Sequence, residues 1–363
     1  EPQQTKEVSL PIGDITDSDE YLLDVRYVLR ESEGVLPAGH VVAYDQMALT
    51  SPTAKSLNLA TPPTRGIEWA LRLDSTQKEL IITNHLCSFS FSRTDGWLTR
   101  YAVANNEYIY PGESLKPNFW RAPTDNDYGA KFHRKLRAWY RPTMKLLSLR
   151  SVAAADSVVI STSYDMPEVK SCLRLTYTIG PSGEVRVTQR LETDSTAQVS
   201  GMFRFGMQLP MLKRYNQVNY YGRGPAENYS NRCGAAKLGI WRQTVDEQYH
   251  PYVRPQETGT KTDIRWWRLT DVRGVGLEFT AVQPFSASAL HYKQEQLDEG
   301  LDKNLSQGHG ELIPQADLTN FSIDLVQMGQ ACIDSWSAQP LPQFQVPYQD
   351  YTFSFIMRPC RVY

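Results

Sequence analysis

Apolar and polar residues alternate with a period of two along most of this chain. From Tyr21 to Arg30, positions 21, 23, 25, 27 and 29 are apolar and most of the others are polar. Side chains of a strand point to opposite faces in turn, so this pattern predicts a half-buried strand. Leu173, Leu175, Tyr177 and Ile179 alternate in the same way. Pro181-Ser182-Gly183 then turns the chain, and Val185, Val187 and Leu191 return, which predicts a hairpin. A second hairpin is predicted where Phe89 and Phe91 lead through Arg93-Thr94-Asp95-Gly96 to Trp97-Leu98. Tyr351, Phe353, Phe355 and Met357 predict one more strand. Helical spacing is scarce. It is clearest from Ala130 to Tyr140, with Phe132, Leu136, Trp139 and Tyr140 on one face and Lys131, Arg134, Lys135 and Arg137 around it. The expected fold is all-β, with long antiparallel strands and large loops.

The length of 363 residues is enough for two domains, or for one large β domain with an appendage. Ser51 to Arg65 carries Pro52, Pro62 and Pro63 among small polar residues and reads as a linker. It divides a segment 1–50 from a β unit 66–363. Two or three strands cannot close a β-sandwich, so segment 1–50 is expected to be the end of a β domain. The chain opens on Glu1-Pro2-Gln3-Gln4, with no initiator Met, basic stretch or apolar stretch. Removal of a signal peptide and excision from a longer polypeptide both fit this start, and the incomplete first domain favours the second.

Composition narrows the chemistry. The chain is 41% hydrophobic and 21% charged, with a net charge of −2, so there is no basic patch to argue for nucleic acid or anionic lipid. No apolar run approaches a membrane span. Five cysteines, at 87, 172, 233, 332 and 360, include no C-x-x-C pair and read as buried free thiols rather than a zinc or redox site. Compartment stays open. The 8 Trp and 20 Tyr could stack on sugar rings, but aromatics fill β cores more often.

Four runs stand out. The first, Asn118 to Gly129, joins Phe119-Trp120-Arg121 to Asp125-Asn126-Asp127 and ends on glycine. It could present polar groups to a polyol, or Arg121 could clamp an aspartate in a braced Asx turn; residue chemistry alone favours the clamp. Gly129 falls one position short of the spacing of a calcium loop. The second, Tyr220 to Tyr229, sets glycines around Arg223, lacks the Lys-Ser/Thr of a phosphate loop, and reads as a turn braced by Arg223 and Glu227. The third, His250 to Gly259 with Arg265-Trp266-Trp267, is rich in planar groups that could stack on a sugar or pack over the sheet. The fourth, Asp334-Ser335-Trp336-Ser337, sets a Trp among polar neighbours. No H-x-x-x-H, H-E-x-x-H or G-x-S-x-G constellation occurs.

Together the runs resemble the bacterial β-galactosidases of glycoside hydrolase family 2, in the family's order. Residues 118–129 are similar to F-W-R-A-P-T-D-N-D-x-G, 221–229 to Y-G-x-G-P-x-E-N-Y, 251–259 to P-Y-x-x-P-Q-E-x-G, and 334–336 to the terminal D-x-S-W. Glu20 to Leu23 and Leu36 to His40 resemble the end of the Ig-like domain that precedes this module. The resemblance implies a mutarotase-like antiparallel β-supersandwich preceded by a partial Ig-like β-sandwich. It also implies that the catalytic glutamates and the magnesium ligands lie on a TIM barrel outside these residues. The chain would then hold no cofactor and no metal, and alone would be inactive. It would share a galactoside substrate with the barrel of a homo-oligomeric parent. The resemblance gives Trp336, with Asp334 beside it, a place at the substrate. It puts the segment from Gly129, with Asp125, Asn126 and Asp127, near the active-site mouth. One departure stands out: Gln330-Ala331-Cys332-Ile333 occupies the place where the family commonly shows two glycines and an acid. Two other readings compete. One is a free-standing mutarotase-like epimerase, needing a His and a carboxylate face to face, such as His291 and Glu295. The other is a purely structural or sugar-binding β module.

Overall fold

The computed structural model describes residues 3–15, 19–50, 57–59, 66–154, 156–302, 308–330 and 338–362. The chain divides into two units, Glu1–Lys55 and Ser56–Tyr363. Most of the run read as a linker, 51–65, lies outside the described residues.

In the first unit, strands β1 (Leu22–Val28) and β2 (Val41–Ala48) pair antiparallel, from Leu22 opposite Ala48 to Val28 opposite Val41. The alternation gives the strand as expected, and the burial in part: Leu23, Val25 and Leu29 are half-buried between the exposed Asp24, Arg26 and Arg30. Tyr27, Val28 and Val42 are each more than half exposed.

The second unit begins with a five-stranded meander: β3 (Arg72–Ser75), β4 (Glu79–Thr83), β5 (Cys87–Ser92), β6 (Leu98–Val103) and β7 (Asn106–Glu107). The predicted 89–98 hairpin is β5–β6, and Gly96 takes the left-handed backbone its turn requires, at φ +74°. Among the described residues, twelve more strands form one sheet. They are β8 (Lys116–Asn118), β9 (Lys145–Ala154), β10 (Ser157–Met166), β11 (Ser171–Ile179), β12 (Val185–Thr193), β13 (Arg204–Leu212), β14 (Gln217–Gly224), β15 (Lys237–Thr244), β16 (Lys261–Thr270), β17 (Val275–Leu290), β18 (Leu318–Gln327) and β19 (Tyr351–Arg361). Every pairing among them is antiparallel. The predicted 173–191 hairpin is β11–β12, whose odd-numbered residues from Leu173 to Leu191 are buried.

Two features shape this sheet. β19 lies between β12 and β17, so the strand latest in sequence sits mid-sheet. β17 changes neighbours: Val275–Ala281 pair with β19 and Ser286–Leu290 with β18. Pro284 falls between, among exposed residues, where a missing ladder donor costs nothing.

The expected helix over 130–140 is broken. A short helix α1 (Asp125–Gly129) is followed by α2 (Phe132–Lys135) and a 3-10 turn Arg137–Trp139. Lys131 sits at φ +62°, which stops one continuous helix. The buried anchors Phe132, Leu136 and Trp139 are spaced by four and then three residues, which an α turn followed by a 3-10 turn satisfies. The fixed places of these anchors in the core outweigh the regular period.

Candidate functional site

The loop 118–129 is built from its own polar groups. Thr124 caps α1: its Oγ1 accepts from the Asp127 amide at 3.1 Å, while the Thr124 amide donates to Asp127 Oδ2 at 2.9 Å. Arg121 Nε and Nη2 grip the two oxygens of Asp127 at 3.1 and 2.8 Å. Both side chains are fully buried. Asp127 is therefore turned inward, its oxygens engaged by the protein itself. Of the other residues expected near a ligand, Asp125 is exposed, while Asn126 and Gly129 are half-buried.

The remaining guanidinium donors leave the loop. Arg121 Nη1 donates to the Met328 carbonyl at 2.5 Å and Nη2 to that of Gly329 at 3.0 Å. Next along, Gln330 is held at both backbone polar groups by the Asn231 amide, at 2.8 and 2.9 Å. Arg121 thus ties the first run to Met328 and Gly329, and Asn231, two residues past the second run, holds the next residue, Gln330. Asp334 and Trp336 themselves, with the departure at Ala331 and Cys332, lie outside the described residues.

The third run joins through Glu257, whose amide donates to the Ala122 carbonyl at 3.1 Å. Its Oε1 accepts from Arg204 at 2.9 Å, Thr260 at 2.9 Å and Gln327 at 3.2 Å. Arg204 also faces Asp324 at 3.5 Å, deep in the β13–β18 pair. Among the described residues, Asp324 Oδ1 has no hydrogen-bond partner. Burial therefore outweighs the pull of Arg204, and the Asp324 carboxyl is pushed up to about 7. Gly206 lies opposite Asp324 on one side and Asn118 on the other; a Cβ there would come within 2.2 Å of Asp324 Oδ1.

The turn after β14 is braced as expected, but by two separate contacts. Arg223 bonds Asp263 at 2.5 Å. Glu227 accepts from Tyr252, from Arg232 at 2.6 Å, from Thr258 at 3.1 Å and from the Gly259 amide at 2.8 Å. Burial alone would raise the Glu227 carboxyl, but these donors, Tyr252 and Gly259 foremost, hold it below the usual range.

His291 and Glu295 do not form an acid–base pair. The buried His291 Nδ1 lies 2.9 Å from the Leu318 carbonyl, and Glu295 is exposed and paired with Arg141 at 2.7 Å. The partnership of Arg204, Glu257 and Asp324 was invisible in the pattern. Its faint trace is a charge set inside each of two apolar stretches, Met202–Met211 and Phe321–Val326.

These features define an all-β module whose distant loops are tied together by buried arginines. Residues 83–357 match the family model described as beta galactosidase small chain, and residues 1–50 match beta-galactosidase, domain 4. The chain belongs to the β-galactosidase small-chain family. A β-galactosidase of Priestia megaterium is 29% identical over 346 residues, covering 94% of this chain and 32% of that protein. One from Lactobacillus delbrueckii subsp. bulgaricus is 33% identical over 263 residues, covering 70% and 24%. The chain thus spans a third or less of these relatives. Among solved structures, a galactose 1-epimerase from Lactobacillus acidophilus overlaps 81% of this chain and 100% of its own, at TM-score 0.44 and 9% identity. Overlap this loose bears on neither ligand nor activity.

Proposed function

We propose that this chain acts as the non-catalytic C-terminal part of a retaining β-galactosidase. It shapes the substrate pocket through Trp336, Asp334 and the segment Asp125–Gly129, and it stabilises the assembly. In this reading a catalytic barrel elsewhere supplies the two carboxylates of a retaining mechanism, and any magnesium bound by the parent sits there too. The contribution of this chain is orientation, which accelerates a reaction without taking part in its chemistry. The galactoside is shared with that barrel, and the parent is a homo-oligomer.

The observation that supports this reading most is the reach of Arg121. One guanidinium joins Asp127 of the family's D-N-D-x-G run to the carbonyls of Met328 and Gly329, a few residues before Trp336. The Asp125–Gly129 segment is thereby tied at one buried point to Met328 and Gly329, which precede Trp336 in sequence.

The test is an assay of the purified chain on a chromogenic β-galactoside, beside the same chain joined in frame to its upstream polypeptide. No turnover by the chain alone and turnover by the longer protein are expected. In the longer protein, Trp336→Ala should raise KM about tenfold or more. Hydrolysis by the isolated chain, freed of host enzyme, would sink the proposal.

A further inference from the structure

Beside the turn that follows β14 lies a cavity of ≈ 330 Å³ in which the reading above has no part. Glu227, Arg232, Gln248, His250, Tyr252 and Lys261 are in its wall. Lys261, at the start of β16, is only 1% exposed. Its Nζ donates to Gln248 Oε1 and to the Gly259 carbonyl, both at 2.8 Å. Both acceptors are neutral. Glu227, the carboxylate whose charge reaches Lys261, has its oxygens taken by Tyr252, Arg232, Thr258 and the Gly259 amide.

The number of partners matters. An ammonium has three N–H donors, and among the described residues two acceptors stand within reach of Lys261 Nζ, one fewer than it needs. A neutral amine has two donors, both satisfied by this pair of acceptors, and keeps a lone pair. Burial favours the same form, lowering the Lys261 amine to about 7 against the opposing pull of Glu227. An exposed lysine near pH 7.5 carries on the order of a thousandth of its population as free amine. Lys261 combines that reactive form with a cavity large enough for a few heavy atoms and lined by hydroxyl, imidazole and amide groups.

We propose that Lys261 is a carbonyl-reactive lysine that forms an imine with a small hydroxyaldehyde, such as an open-chain aldose, admitted through this cavity. The Nζ lone pair attacks the aldehyde carbon and forms the C–N bond. The carbonyl π electrons move to oxygen, which takes a proton to give a carbinolamine. The nitrogen then loses its proton, the hydroxyl leaves as water, and a C=N bond remains. Amine and aldehyde are consumed, imine and water are produced, and no oxidant is needed. The lining hydroxyl of Tyr252 and the amide of Gln248 suit the hydroxyl groups of such a ligand. The site does not depend on galactoside hydrolysis and stands or falls separately from it.

The test exposes the 363-residue chain to glyceraldehyde and cyanoborohydride and maps the reduced adducts by peptide mass spectrometry. Lys261 should be labelled at pH 7.5 at least about tenfold faster than any exposed lysine. Its labelling should level off above about pH 8, while that of exposed lysines keeps rising. Lys261→Arg should lose this adduct alone. Labelling spread over exposed lysines with Lys261 unmodified would overturn the proposal. A Lys261 pH profile that tracks the surface lysines would overturn it equally, and that measurement needs only the unsubstituted chain.

Discussion

Two buried arginines solve the same problem in different ways. Arg121 faces one aspartate, grips it through two nitrogens, and places its spare donors on two backbone carbonyls. Every strong acceptor around it has a donor. Arg204 stands between two acids, Glu257 at 2.9 Å and Asp324 at 3.5 Å, and its Nε has no partner among the described residues. A buried ion pair is held together by how well its remaining hydrogen bonds are met. The first cluster is a closed joint. The second carries more acid than its cation satisfies, and the excess falls on Asp324.

That contrast can be broken from either side. Arg204→Met should have the largest effect, leaving two buried carboxylates without a cation; a loss of about 3–5 kcal/mol or more is expected, seen as insoluble protein or a collapsed urea midpoint. Arg121→Lys should come next, at about 2–4 kcal/mol, because an ammonium cannot span both oxygens of Asp127 and two carbonyls. If Arg121→Lys unfolds like wild type in urea, the closed joint is not what holds the loop.

Asp324→Asn sharpens the comparison. Because the carboxyl is raised to about 7, the folded chain holds its proton over a range where the unfolded chain has lost it. Stability from this group is present below about pH 4, falls as pH rises from about 4 to about 7, and is flat above. The asparagine removes that fall. Relative to wild type, the variant should gain a few kcal/mol at most between pH 4 and pH 8, read from urea melts at both. An equal offset at the two pH values would mean that Asp324 stays ionised. The smallest effect should be that of Asp125→Ala. Asp125 is exposed and trades hydrogen bonds with Gln256 at 3.1 and 3.3 Å, so its loss should move stability by about 1 kcal/mol or less.

Local chemistry was legible in the sequence; long-range partnership was not. Alternation gave the β5–β6 and β11–β12 hairpins because each is made by neighbours in sequence. The Arg121–Asp127 clamp could be read because its partners are six residues apart. Glu257 lies 53 residues from Arg204, and no spacing rule links them. Lys261 was silent for the same reason: its burial depends on Gln248 and on the turn at Gly259, which nothing in Thr260-Lys261-Thr262 announces. The helix over 130–140 failed because period measures which residues face inward, not whether the backbone between them is continuous. In the first unit, alternation gave the strand and the half-burial of Leu23 and Val25, but not the exposure of Tyr27.

The central place of β19 sets an order on how this sheet can be made. β12 and β17 become neighbours only through a strand that follows both by more than sixty residues. While the chain is being synthesised, each must wait with one edge unpaired, and such edges invite pairing with other chains. Closure over so long a separation is also slow. The sheet is thus sealed from its middle rather than grown from an edge. A chain stopped short of Tyr351 would lose the seam between its two halves, not merely a final strand.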